Sequence, residues 1–369
     1  MNDKFDPNYH KREAEAVNAL KNIIPDKLKA EIPISKGMFA SLIECPEKNH
    51  YLVTANDGAG TKPILAIAMN KFDTIGIDMV AMVANDIATL GNVIDLTLMN
   101  YLPCQAKIQK EKITAEIMKG VVAGCELAGA KIGKGETASV DEILGSPKSG
   151  YGFDIAGVMT GFIEKNNILQ KKVKPGYKII GFQSSGGHCN GYTGFRLNLL
   201  NGDFEERPEI KKLYKGKYSL NDKVPGTNQT IGEALLFPTR IYSKMMRAIG
   251  EKFPYIQGVN ITGYGLKNFN RVGENLVFHL YDNWLFEPQP IFQLYASETG
   301  IPDEKLYESC NMGLGFAIMV AHEDLDKVFE IAKRNGEIAR IIGEVESSRF
   351  GNSTILHKNQ KEIYFYGYQ

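Results

Sequence analysis

Asn56-Asp57-Gly58-Ala59-Gly60-Thr61-Lys62 is the stretch that decides how this chain is read. It follows an apolar, β-rich run at 51–55. Within six residues it supplies a carboxylate, two glycines, a hydroxyl and an ammonium. Glycines let backbone N–H groups approach phosphate oxygens. A lysine neutralises phosphate charge, and a carboxylate can hold Mg²⁺. A strand feeding such a loop predicts an α/β layer with a nucleotide site at the strand end. The loop is not G-x-x-x-x-G-K-[ST], and neither is 129–135, so neither stretch is a Walker loop. A glycine turn that merely caps a strand also fits these residues.

Working outward, the next acids lie in Ile77-Asp78-Met79-Val80-Ala81-Met82-Val83-Ala84-Asn85-Asp86. The alanines and apolar residues predict a helix. At about 100° per residue, Asn85 falls about 20° from Asp78 and Asp86 about 80° from it. Three polar groups thus share one side of an otherwise apolar helix. Carboxylates in such surroundings need a partner, for which Mg²⁺ is suited. Asp78 as the helix cap is the alternative. Gly133-Lys134-Gly135-Glu136-Thr137-Ala138 is expected as a turn after a helix that offers Glu136 to a metal, and Asp154 is a further acid of this kind. In Gly181-Phe182-Gln183-Ser184-Ser185-Gly186-Gly187-His188-Cys189-Asn190-Gly191 a strand enters a serine- and glycine-rich turn and a helix leaves it. Free N–H groups at a helix start favour phosphate, and His188 and Asn190 stand in the turn. The glycine turns at 262–265 and 311–315 fit tight strand packing or a close ligand.

The hydrophobic pattern alternates β-rich runs with helical ones. Strands are expected at 51–55, 94–102, 153–163, 177–182, 276–281 and 315–320. Helices are expected at 112–127, 190–200, 231–250 and 323–335, the last stopped by Gly336, and a hairpin at 355–366. This is α+β, with a boundary in the polar, lysine-rich 166–175. Residues 201–229 are polar, with Pro208 and Pro225, and read as a surface insertion or a lid.

At 369 residues the chain suits two domains. Its 43 Lys+Arg balance 43 Asp+Glu, which speaks against nucleic-acid binding. No apolar run reaches the roughly 18 residues a membrane span needs. The first six residues contain no apolar signal core. The five cysteines make no C-x-x-C pair. A reducing, cytoplasmic setting is expected.

The order of motifs adds to this. Asp57–Lys62, Asp73-Thr74-Ile75-Gly76-Ile77-Asp78, Asn85-Asp86, Gly135-Glu136-Thr137-Ala138, the 184–192 turn, Pro238-Thr239-Arg240-Ile241-Tyr242, Ile261-Thr262-Gly263 and Asn311-Met312-Gly313-Leu314-Gly315 follow one another. Collinear in this way from about 36 to 344, the chain resembles the phosphoribosylformylglycinamidine cyclo-ligase (aminoimidazole ribonucleotide synthetase) family. The resemblance implies two α/β domains. Residues 1–170 would bind ATP and Mg²⁺ and form a homodimer through an intersubunit barrel; residues 171–369 would bind substrate. It implies ATP-dependent closure of formylglycinamidine ribonucleotide to 5-aminoimidazole ribonucleotide, with release of ADP and phosphate. Asp57, Asp86 and Glu136 would hold the metal. Asp57, Gly58, Gly60, Thr61, Lys62, Asn85, Asp86 and Glu136 would hold ATP. Ser184, Ser185, Gly186, Gly187, His188 and Asn190 would face a ribonucleotide phosphate, and Asp57, Lys62 and His188 would be catalytic. The chain departs from the family pattern at 5–16, at Lys134, at 91–94, at 139–142, at Asn260 and at Tyr264. A paralogous ATP-dependent enzyme acting on another amide or carbonyl oxygen is the alternative.

Overall fold

The computed structural model describes residue 23 and residues 25–367. The 5–16 departure lies outside them.

Two sheets organise the described residues. The first contains β1 (Ser41–Glu44), β2 (His50–Gly58), β3 (Ile94–Cys104), β4 (Lys131–Ser139) and β5 (Ala156–Glu164), in the order β1-β2-β5-β3-β4. In β5 the alternation of valine, methionine, phenylalanine and isoleucine with small residues buries Met159 and Ile163 and leaves Val158 and Phe162 outside. The buried face lies under the helices Ile75–Ala88 and Ile113–Ala128. Those helices approach closely through glycine: a Cβ on Gly76 would sit 2.3 Å from the Val121 nitrogen. Among the described residues, nothing covers the opposite face. Tyr101, Val158 and Phe162 stand on it at 36–45% exposure.

The second sheet runs β12-β11-β8-β10-β6-β9-β7. Its strands are β6 (Lys178–Gln183), β7 (Gly258–Asn260), β8 (Leu276–Tyr281), β9 (Leu314–Val320), β10 (Ala339–Ser347), β11 (Ser353–Lys358) and β12 (Lys361–Tyr366). Asn359 and Gln360, both left-handed, turn the final hairpin. The helix Lys165–Leu169 and the polar residues after it connect the sheets, where the boundary is expected.

Two local expectations need correction. The 231–250 helix is two helices, Ile231–Leu236 and Ser243–Lys252. Pro238 has no N–H to donate and interrupts the pattern. Residues 133–138 are not a turn; they lie in the edge strand β4, paired parallel to β3. The 201–229 insertion is anchored through the buried Tyr214, Leu220 and Val224.

Candidate active site

Strand β2 ends at Gly58, and the loop after it enters the helix Pro63–Met69. Gly60 is left-handed (φ +59°), and a Cβ there would lie 3.5 Å from the Cys189 carbonyl oxygen. Thr61 Oγ1 lies 3.5 Å from Thr193 Oγ1. The 58–62 loop therefore meets the far end of the serine–glycine turn, which follows β6. Two motifs separated by more than a hundred residues close on one another.

Lys62 begins that helix, and its side chain is turned inward, fully buried. Its ammonium donates to Asp78 Oδ1 at 2.8 Å and to the Phe237 carbonyl at 2.7 Å. Burial works against the charge, but the Asp78 carboxylate overrides it and holds Lys62 above the usual lysine range. Asp78 also accepts from Thr239 N at 2.8 Å and Thr239 Oγ1 at 2.7 Å. It is a buried anchor and makes no cap. The expectation that Lys62 faces phosphate is corrected: its charge is spent on Asp78 inside the protein.

The polar side of the Ile75–Ala88 helix forms as its phase predicts, and each group on it reaches into the second half of the chain. Asn85 Nδ2 donates to the Arg240 carbonyl at 2.8 Å, and its Oδ1 accepts from Tyr242 N at 2.9 Å. Asp86 Oδ1 accepts from Asn260 Nδ2 at 2.8 Å. The departure at Asn260 thus still supplies a donor to the acid. Burial and the nearby Asp57 charge push Asp86 up to about 7, against the Asn260 hydrogen bond and the Arg271 charge. Asp57 itself is exposed at the strand end, and its Oδ1 accepts from Gly58 N at 2.7 Å. Two carboxylates repelling one another at a cleft edge are oxygen donors of the kind Mg²⁺ takes when phosphate oxygens complete its shell.

Glu136 is not with them. The rows Asp57–Gly157–Asn100–Gly135 and Gly58–Ala156–Tyr101–Glu136 run across the sheet. Glu136 is therefore about three strand spacings, roughly 14 Å, from Asp57. Alternation also turns it to the uncovered face with Tyr101, while Asp57 shares the helix face with Gly157. Among the described residues, no three His, Cys, Asp or Glu side chains come close enough to hold an ion together. Asp154 is engaged locally, its Oδ1 accepting from Ile155 N at 2.8 Å.

The serine–glycine turn is strained, with His188 (φ +51°), Cys189 (φ +60°) and Gly191 (φ +74°) all left-handed. Ser184 N donates to the Gly313 carbonyl at 2.8 Å, and Asn311 Nδ2 to the Gly186 carbonyl at 2.7 Å. Asn190 Nδ2 closes the turn on the His188 carbonyl at 2.6 Å. His188 is 2% exposed. Its Nε2 accepts from Ser185 N at 3.0 Å and Arg240 N at 3.4 Å, which puts the ring proton on Nδ1. Burial, Lys62 and Arg240 lower it to about 3. The expectation of a substrate-facing, catalytic His188 is corrected: this imidazole is neutral and holds the turn against 238–242. Gly315 makes room for it, since a Cβ there would lie 2.0 Å from Tyr242 Oη and 2.7 Å from His188 Cε1.

Pro238–Tyr242, in sequence only one motif of the resemblance, forms with Phe237 a brace that ties Asp78, Asn85 and His188 together. Its signal is Pro238, a helix breaker inside an otherwise helical pattern.

A strand–glycine-loop–helix bearing one carboxylate, a helix presenting a second, and a strained serine–glycine turn closing on both define an AIR synthase-related protein: the family described as "AIR synthase related protein, N-terminal domain" matches residues 38–163. Solved structures share the fold over most of the chain. The hydrogenase maturation protein HypE in complex with ATP has a TM-score of 0.58 at 16% identity, over 96% of this chain and 95% of that one. AaThiL complexed with AMPPCP and TMP has a TM-score of 0.54 at 12% identity, over 96% and 97%. Among curated relatives, the phosphoribosylformylglycinamidine cyclo-ligase of Fusobacterium nucleatum subsp. nucleatum is 35% identical over 90% of this chain and 93% of its own. That of Methanocaldococcus jannaschii is 34% identical over 95% of each. The chain belongs to the phosphoribosylformylglycinamidine cyclo-ligase family.

Proposed function

We propose that this protein closes formylglycinamidine ribonucleotide to 5-aminoimidazole ribonucleotide, using ATP and releasing ADP and phosphate. The observation that carries the reading is the 34–35% identity to phosphoribosylformylglycinamidine cyclo-ligases over 90% or more of the chain, with Asp57 at the end of β2 and Asp86 bonded to Asn260. The formyl oxygen of the substrate attacks the γ-phosphorus and ADP leaves. The amidine nitrogen then attacks the activated carbon, and phosphate departs with the former formyl oxygen. Mg²⁺, when bound, would neutralise phosphate charge. The chain's own work is positioning and charge placement. Asp57 and Asp86 would hold the metal, and the backbone N–H groups of Gly60 and Thr61 would face the phosphates. Lys62 and Asn85 act from behind: Lys62 fixes Asp78 and the Phe237 carbonyl, and Asn85 fixes Arg240 and Tyr242. The 184–190 turn faces the acceptor, braced by His188 and Asn190.

Residues 1–170 serve as the ATP and dimerisation domain and residues 171–369 as the substrate domain. The first sheet ends at Glu164 and the second begins at Lys178, which supports that division. A homodimer formed on the uncovered face of the first sheet accounts for its exposed Tyr101, Val158 and Phe162. Such a dimer is also the route by which Glu136 of one protomer reaches a metal held by Asp57 of the partner subunit. With no helix long and apolar enough to cross a membrane among the described residues, a cytoplasmic setting fits this chemistry.

The test is direct. The purified protein, given formylglycinamidine ribonucleotide, ATP and Mg²⁺, yields 5-aminoimidazole ribonucleotide and ADP in equal amounts. ATP hydrolysis without the imidazole product overturns the reading.

A further inference from the structure

The serine–glycine turn has two ends. Its Cys189 end packs on the 58–62 loop, and its Ser185–Gly186 end opens into a cleft of about 120 Å³. The far wall of the cleft comes from the insertion, through Val224 and Gln229. Phe237 and Gln289 are also on its walls. None of the residues lining it is ionisable. A phosphate entering it would lose its water and meet no counter-charge. Two polar groups remain open to a guest. The Gln229 carboxamide and the Gly186 N–H make no hydrogen bond among the described residues. Gln289, by contrast, already donates to the Ser184 carbonyl at 2.6 Å.

Gln229 is also held in place. Val224 N donates to its carbonyl at 2.9 Å, its own N donates to Thr227 Oγ1 at 3.2 Å, and the adjacent Thr230 forms a capping box with Glu233. A rigid backbone aiming an unused carboxamide into a small, uncharged cleft is a preorganised recognition element.

Resting on the function proposed above, we infer that this cleft receives an uncharged, hydroxyl- or amide-bearing part of the acceptor. Gln229, brought by the 201–229 insertion, is a specificity-determining residue. The acceptor's phosphate lies elsewhere along the turn.

Steady-state kinetics of the full chain, with KM resolved separately for formylglycinamidine ribonucleotide and for ATP, test this. Gln229→Ala removes one hydrogen bond and raises the acceptor KM about five- to tenfold, with a smaller change in kcat. Gly186→Ala fills the cleft where a Cβ comes no closer than 3.8 Å to any atom, so the fold tolerates it. It raises the acceptor KM likewise, and in both variants the ATP KM stays within twofold. Gln229→Lys weakens the acceptor as well. If Gln229→Lys tightens acceptor binding, the cleft holds the phosphate and the inference is overturned. If the acceptor KM is unchanged in Gln229→Ala and Gly186→Ala, the cleft holds nothing, and the proposed activity stands without it. A wild-type protein that neither converts nor binds formylglycinamidine ribonucleotide by calorimetry, with a non-hydrolysable ATP analogue present, overturns both.

Discussion

Among single residues, the sharpest division is between groups that meet ligand and groups that hold those groups in place. Asp57 is exposed at the strand end and asparagine keeps its shape, so Asp57→Asn lowers turnover at least about 100-fold through loss of the charge. Activity within a few-fold of wild type would remove Asp57 from the metal site. Lys62 is the opposite case. Lys62→Met leaves Asp78 buried without its cation, a loss of about 3–5 kcal/mol in chemical denaturation. Lys62→Met combined with Asp78→Asn recovers much of that loss; an equally unstable double variant would show that the pair is not the cause. His188 gives a pH signature. Its folded form resists protonation down to about pH 3, while the unfolded imidazole takes a proton near 6.5. The unfolded state therefore binds the extra proton as pH falls through that window, and stability is lost in it at about 1.4 kcal/mol per pH unit from this group. In His188→Gln the slope between pH 6 and 4 is shallower by that amount, and an unaltered slope would mean the imidazole is not buried neutral.

The element that matters most is the Ile75–Ala88 helix, because Asp78, Asn85 and Asp86 all reach across from it to the second half of the chain. Its position depends on the glycine contact with the Ile113–Ala128 helix. Gly76→Ala forces a methyl against backbone, costing about 1–3 kcal/mol. It also displaces Asp86, so the Mg²⁺ concentration for half-maximal activity rises with the loss of stability. Unchanged Mg²⁺ dependence in a destabilised Gly76→Ala protein would separate the helix seat from the metal site. The helix, its phase and its polar side are legible from 77–86, since a 3.6-residue period is local. The glycine seat is not, because nothing near Gly76 in sequence says what lies 2.3 Å away. Likewise 133–138 reads as a glycine turn by composition, but pairing to β3 makes it a strand.

At the scale of the whole molecule, the dimer proposed above would let a second copy complete the site with its Glu136. Asp57→Asn and Glu136→Gln homodimers are each expected to be inactive. Mixed and allowed to exchange subunits, they regain activity through heterodimers with one intact site. No recovery on exchange would return Glu136 to a surface role. The sequence by itself determined the alternation of strands and helices, the loop at 57–62, the strained turn at 184–191 and their order along the chain. Those depend on side-chain period and on glycine's backbone freedom, which act over a few residues. Only the tertiary structure decided that Lys62 faces Asp78, that His188 is a neutral brace, that Asn260 serves Asp86 and that Glu136 stands on the opposite face from Asp57. The first three are meetings of residues 16 to 174 positions apart. Sheet register, helix seating and the cost of burying an unpaired charge select such meetings, and none of the three is written in a local pattern.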